Sequence, residues 1–122
     1  MSKKILVVED TEDNRQILRD LLSTAGYDIV EAYDGAEGVA KAAEHKPDLI
    51  LMDIQMPVMD GYEATRRIKA DPALKSIPVI AVTSYALSGD EEKTRAAGCD
   101  GYIAKPYSPR QMLAKVREVL GA

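Results

Sequence analysis

Asp48-Leu-Ile-Leu-Met-Asp53-Ile-Gln-Met-Pro-Val-Met-Asp-Gly61 is the stretch that decides the fold. Four apolar residues, Leu49 to Met52, run straight into a carboxylate, and a Met-Pro loop follows. A strand that is apolar on both faces belongs inside a parallel sheet covered on both sides. Its carboxyl end lies on the rim where open α/β sheets bind their ligands, so Asp53 stands where chemistry is done.

The flanking sequence repeats the pattern. Upstream, Lys4 to Val8 reads as a buried first strand ending at Glu9-Asp10. Ile17, Leu18, Leu21, Leu22 and Ala25 keep helical spacing from about Thr11 onward, and Gly26 stops that helix. Tyr27 to Ala32 is a short second strand; Asp34 and Glu37 form a capping box for a helix to about Glu44, closed by Pro47. Downstream, Asp60 and Glu63 repeat the box before a helix that Asp71-Pro72 breaks. Val79 to Thr83 is a fourth strand, and Ser88 with Glu91 caps a fourth helix that Gly98 ends. Tyr102 to Lys105 is a fifth strand. Ser108-Pro109-Arg110-Gln111 then opens a last helix whose stripe is Met112, Leu113, Val116, Val119 and Leu120. Strand and helix alternate five times without a linker or repeat, which predicts a parallel sheet between helices. The expected architecture is a flavodoxin-like (βα)5 three-layer sandwich with strand order 2-1-3-4-5, strands 1 and 3 meeting at the switch point.

Size and composition agree. The 122 residues suit one domain, and 46% hydrophobic with 30% charged residues is ordinary globular usage. No apolar run approaches the ~20 residues of a membrane span, and the short apolar stretch near the N-terminus ends in acids, unlike a signal peptide. The single cysteine, Cys99, fits a reducing compartment, so a cytoplasmic location is expected. A net charge of −4 with scattered basic residues argues against direct nucleic-acid binding.

Topology then converges the strand ends. Glu9 and Asp10 follow strand 1, Asp53 ends strand 3, Thr83 ends strand 4 and Lys105 ends strand 5. Two carboxylates ~4 Å apart repel by about 4 kcal/mol at an effective dielectric of about 20. Gathering three of them needs a cation, either Lys105 or a hard divalent ion such as Mg²⁺. A nucleotide site would place a glycine-rich turn after strand 1, whereas Glu-Asp-Thr-Glu-Asp-Asn has no glycine and repels bare phosphate. A carboxylate beside a metal suits phosphoryl transfer, with aspartate as nucleophile, Mg²⁺ between carboxylates and phosphoryl oxygens, and Thr83 and Lys105 on the other oxygens.

Glu9-Asp10, Asp53 in Met-Asp-Ile-Gln-Met-Pro-Val-Met-Asp-Gly, Thr83-Ser84 and Lys105-Pro106 closely resemble the motifs of response-regulator receiver domains of two-component signalling. The resemblance spans about residues 4 to 121 and is nearest in detail to hybrid-kinase and stand-alone receivers. It implies Asp53 as phosphoacceptor, with Glu9, Asp10, Asp53 and the Gln55 backbone carbonyl around Mg²⁺. Lys105 would bind the phosphoryl group, Thr83 would move to meet it, and Tyr102 would be the coupled aromatic switch. The Lys105-Pro106 peptide is expected to be cis. Gln55 and Tyr85 would tune the hydrolysis rate. A histidine kinase or histidine phosphotransfer protein would dock at Asn14, Arg15, Leu18, Ser84 and Pro106. Output would leave through helix 4, strand 5 and helix 5, with Arg95, Tyr102 and Lys115 facing a downstream protein target or effector domain. A homodimer on phosphorylation is a further expectation.

The whole chain reads as a single receiver domain with no effector domain, a switch rather than an enzyme with an external substrate. Two alternatives stand beside it. An aspartyl-phosphate phosphatase of the haloacid-dehalogenase type would carry an aspartate where Gln55 stands, and a cap domain. A pseudo-receiver that only binds partners would not need the full acidic and basic set. Met56, Pro57 and Met59 read as loop-shaping residues, and Cys99 as a packing residue.

Overall fold

A computed structural model of the chain describes residues 3–54, 59–83 and 90–121, except the side chains of Asp90 and Glu91. The elements are β1 (Lys4–Val8), α1 (Glu12–Thr24), β2 (Asp28–Ala32), α2 (Gly35–His45), β3 (Leu49–Asp53), α3 (Gly61–Ala70), β4 (Val79–Thr83), α4 (Asp90–Ala97), β5 (Gly101–Ala104) and α5 (Pro109–Leu120). All strand pairings are parallel and the order is β2-β1-β3-β4-β5, as the alternation predicts.

Side-chain alternation along each strand divides the core in two. Leu6, Val8, Ile50, Met52 and Val79 face α2 and α3, where Ala42, Ala64 and Ile68 meet them. Ile5, Val7, Leu49, Leu51, Ile80 and Val82 face α1 and α5, where Leu18, Leu22, Met112 and Val116 meet them. Both faces of the central strands are therefore dry, which is why their sequences are apolar without a break. Each fully buried Leu, Ile or Val contributes about 1.5–3 kcal/mol of transfer free energy.

The caps differ in instructive ways. Ser108 and Gln111 make the full reciprocal box at α5, with Pro109 inside the first turn. At α2 the Asp34 side chain accepts from Glu37 N–H, but the Glu37 carboxylate accepts from Tyr33 N–H, one residue before the cap. At α3 Asp60 accepts from Glu63 N–H, while the Glu63 carboxylate turns forward to Arg66 and Arg67, whose charges outcompete a backbone amide. Thr11, at the start of α1, makes no side-chain cap; its own N–H is directed to Glu9 instead.

Two strand boundaries also move. β2 begins at Asp28 rather than Tyr27, and β5 covers Gly101–Ala104, leaving Lys105 one residue beyond the ladder. Gly101 pairs with Ile80, so the ladder starts one residue earlier than the aromatic at Tyr102 suggests. Gln55, Met56, Pro57, Ser84, Tyr85 and Ser88 lie outside the described residues.

Candidate functional site

The alternation that divides the core also aims the acids. Glu9 continues the Ile5–Val7 parity and Asp53 the Leu49–Leu51 parity, so both point to the α1/α5 side at the carboxyl rim. Carboxylate oxygens of Glu9, Asp10 and Asp53 lie within 4.8 Å of one another. Glu9 and Asp53 are buried, at 4% and 3% exposure, while Asp10 is exposed. Lys105, carried in on the same parity as Ile103, places Nζ 3.5 Å from Asp53 Oδ1 and 3.8 Å from Glu9 Oε2. One ammonium facing three carboxylates leaves a net negative site. All the clustered donors are hard oxygens and one carboxylate opens to solvent, which fits a divalent cation that keeps part of its water shell.

Glu9 is held tightly. Its Oε1 accepts from Asn14 Nδ2 at 3.0 Å and from Thr11 N–H at 3.3 Å. Its carbonyl accepts from Arg15 Nη1 at 2.7 Å, and its N–H donates to the Ala32 carbonyl of β2 at 3.0 Å. Burial pushes the Glu9 carboxyl up. Hydrogen bonds with Asp53 and Asn14, the Lys105 charge and the Thr11 N–H outweigh that, and hold it below its ordinary value. It stays ionised beside its neighbours, as a cation ligand must.

Asp53 is fixed by the start of α3. Gly61 N–H donates to the Ile54 carbonyl at 3.1 Å, and a Cβ at Gly61 would lie 2.4 Å from the Asp53 carbonyl. Only glycine permits that approach. Gly35, at the head of α2, plays the same part toward Met59, whose carbonyl a Cβ would meet at 2.4 Å. Thr83 is buried at the end of β4, one pleat away from Val82, and so has the opposite parity to Asp53. The Lys105 N–H donates to the Thr83 carbonyl at 2.8 Å, and the Lys105-Pro106 peptide is cis.

A cavity of about 580 Å³ opens beside the acids, floored by Val8, Leu51 and Val82 and walled by Ile17, Pro106 and Tyr107. Of the expected docking residues, Asn14 and Pro106 are exposed at its edge, whereas Leu18 is buried at 4% and contributes to the core. Ile17, one residue earlier, carries the exposed apolar surface at 58%. The Arg15 side chain is only 13% exposed and is engaged by Glu9, Glu12 and Glu31. Tyr102 is half-buried on β5 and lines a cleft of about 190 Å³ with Arg95 and Lys115, away from the acids. Sequence reading missed Tyr107, which lines the acidic cavity. Burial, and then the charges of Glu9 and Asp53, push its phenol above the ordinary value. Its place directly after Lys105-Pro106 was the available signal. No helix among the described residues is long and apolar enough to cross a membrane.

Residues 5–117 match the family model of the response regulator receiver domain. The chain is 46% identical over 121 residues to the polar-differentiation response regulator DivK of Brucella anthropi, covering 99% of this chain and 98% of that protein. It is similar in structure to the chemotaxis protein CheY4 of Vibrio cholerae, with a TM-score of 0.93, 31% identity, and 98% and 99% of the two chains covered. It is equally similar to the receiver domain of a sensor histidine kinase from Pseudomonas aeruginosa, with a TM-score of 0.92, 36% identity and full coverage of both chains. That domain has a magnesium ion coordinated in its active-site cleft.

Proposed function

Because this chain belongs to the response regulator receiver family and is a phosphorylation-controlled signalling switch, we propose that Asp53 is its phosphoacceptor. The observation that carries the assignment is the buried Asp53 carboxylate within 4.8 Å of two other carboxylates and 3.5 Å from Lys105. An Asp53 oxygen attacks the phosphorus of a phosphohistidine presented by a histidine kinase or phosphotransfer protein. The N–P bond breaks, its electron pair stays on the imidazole, and an acyl phosphate forms.

Glu9, Asp10 and Asp53, with the Gln55 carbonyl, would hold Mg²⁺, which when bound would supply charge neutralisation for the phosphoryl oxygens. Lys105 faces the Asp53 carboxyl before transfer and pairs with a phosphoryl oxygen afterwards. Thr83 donates its hydroxyl to another oxygen, and Tyr102 follows that movement on β5. Gln55 and Tyr85, two residues beyond Asp53 and Thr83 in sequence, would tune the hydrolysis rate. The donor protein docks over Asn14, Ile17, Ser84 and Pro106, with Leu18 supporting them from beneath and Arg15 holding the turn. Output leaves through α4, β5 and α5, whose Arg95, Tyr102 and Lys115 surround a cleft. The domain turns over no external substrate. Nothing supports the phosphatase alternative.

The test is phosphorylation by acetyl phosphate with Mg²⁺, read by intact mass. Wild type should gain one phosphoryl group, and Asp53→Asn should gain none. Stoichiometric labelling that survives Asp53→Asn would overturn the assignment.

A further inference from the structure

We propose that Asn14 and Arg15 are positioning residues that hold Glu9 in cation-binding geometry, and that Glu31 of the edge strand β2 acts on the site through Arg15. This rests on reading Glu9, Asp10 and Asp53 as the Mg²⁺ ligands. A glutamate has more rotatable bonds than an aspartate, and a free one would sweep its carboxylate through several positions. Here the two oxygens are treated differently. Oε1 is tethered by Asn14 Nδ2 and Thr11 N–H, while Oε2 is turned to the Lys105 side of the cluster, 3.8 Å from Nζ. One oxygen anchors and the other is presented.

The backbone beneath is clamped from both sides. Glu9 N–H is tied to β2 and the Glu9 carbonyl to Arg15 Nη1. Arg15 is itself oriented, with Nη2 on Glu12 and Nε 3.5 Å from Glu31 Oε1. Arg19 Nη1 fixes Glu31 with contacts of 2.9 and 2.8 Å to its two oxygens. A fork of five donors serves these three directions at once, and a lysine ammonium does not. Groups that orient a metal ligand without touching the metal are worth about 10–100-fold in affinity.

Charge separates this role from a general electrostatic one. Removing the Arg15 cation from beside three carboxylates should tighten Mg²⁺ by Coulomb attraction alone, whereas loss of positioning weakens it. Asn14→Ala changes no charge at all. The experiment is calorimetric titration of the full chain with MgCl₂, with melting in EDTA recorded for every variant. Asn14→Ala and Arg15→Met should each weaken Mg²⁺ about tenfold. Arg15→Lys should recover only part of that loss, and Asp10→Ala should abolish binding. Glu31→Gln should weaken binding in the wild-type background and lose its effect in Arg15→Met.

Affinity that is unchanged or tighter in Asn14→Ala and Arg15→Met, with Asp10→Ala still inert, overturns the positioning role and leaves the metal site standing. A wild-type chain that binds no Mg²⁺ overturns both. Should Arg15→Met not fold, the charge-neutral Asn14→Ala and Asn14→Ser, with Arg15→Lys, decide the matter by the same affinities.

Discussion

A single carboxylate shows how the site trades stability for chemistry. Asp53 is buried beside Glu9, with the partly exposed Lys105 ammonium 3.5 and 3.8 Å from the two, an arrangement that takes like-charged groups out of water and sets them close together. Asp53→Asn keeps the shape and relieves the repulsion. The variant should be more stable than wild type in EDTA, by about 1 kcal/mol. Chemical denaturation compares the two directly, and a less stable Asp53→Asn would mean that Lys105 already balances the cluster. Tyr107 gives a second handle. Its phenol titrates above the ordinary value, first through burial and then through the charges of Glu9 and Asp53. A folded pKa above the unfolded value of about 10 means that the stabilisation is complete below that pH and is lost as pH climbs through the folded value. Tyr107→Phe should therefore flatten the alkaline decline of the melting temperature. An identical decline in Tyr107→Phe would assign that loss to other groups.

At the scale of elements, the strand runs and their polar ends were legible because they are local signals. An apolar stretch covered on both sides has no polar interruption, and the first charged residue marks the rim. The phase of α1 was less legible. Ile17 and Leu18 both fit its apolar stripe, yet Leu18 is buried and Ile17 is exposed beside the cavity, because the helix axis and not the spacing decides which edge faces the sheet. The two acidic capping boxes were half right. Asp34 and Asp60 cap as expected, but Glu37 turns to the Tyr33 N–H, and Glu63 to Arg66 and Arg67 at the i+3 and i+4 spacings that compete with its capping role. The Asp60-Gly61 pair reads as a helix start, whereas the contact of Gly61 with the Asp53 backbone belongs to the tertiary structure. Gly61→Ala must push α3 away from Asp53, and should cost about 2–3 kcal/mol and slow phosphorylation by acetyl phosphate. Wild-type stability and rate in this variant would show that the loop yields without cost.

For the molecule as a whole, the site and the fold share one equilibrium. A cation that binds only the folded arrangement of Glu9, Asp10 and Asp53 stabilises it by about 2.7 kcal/mol at one hundred times its dissociation constant. Mg²⁺ should therefore raise the melting temperature by roughly 10 °C under those conditions, and should do nothing for Asp10→Ala. Equal shifts in both proteins would place the ion elsewhere. The opposite parity of Thr83 and Asp53 has a broader effect. The acids stand on the side of α1 and α5, and Thr83 on the side of α3 and α4, so the sheet works as a partition between two rooms, with the chemistry at its upper edge. The proposed output surface of α4, β5 and α5 wraps the free edge of that partition and touches both rooms. An engineer, or a lineage under selection, could refurnish that outer edge for a new listener while the lock at the top of the wall stays the same.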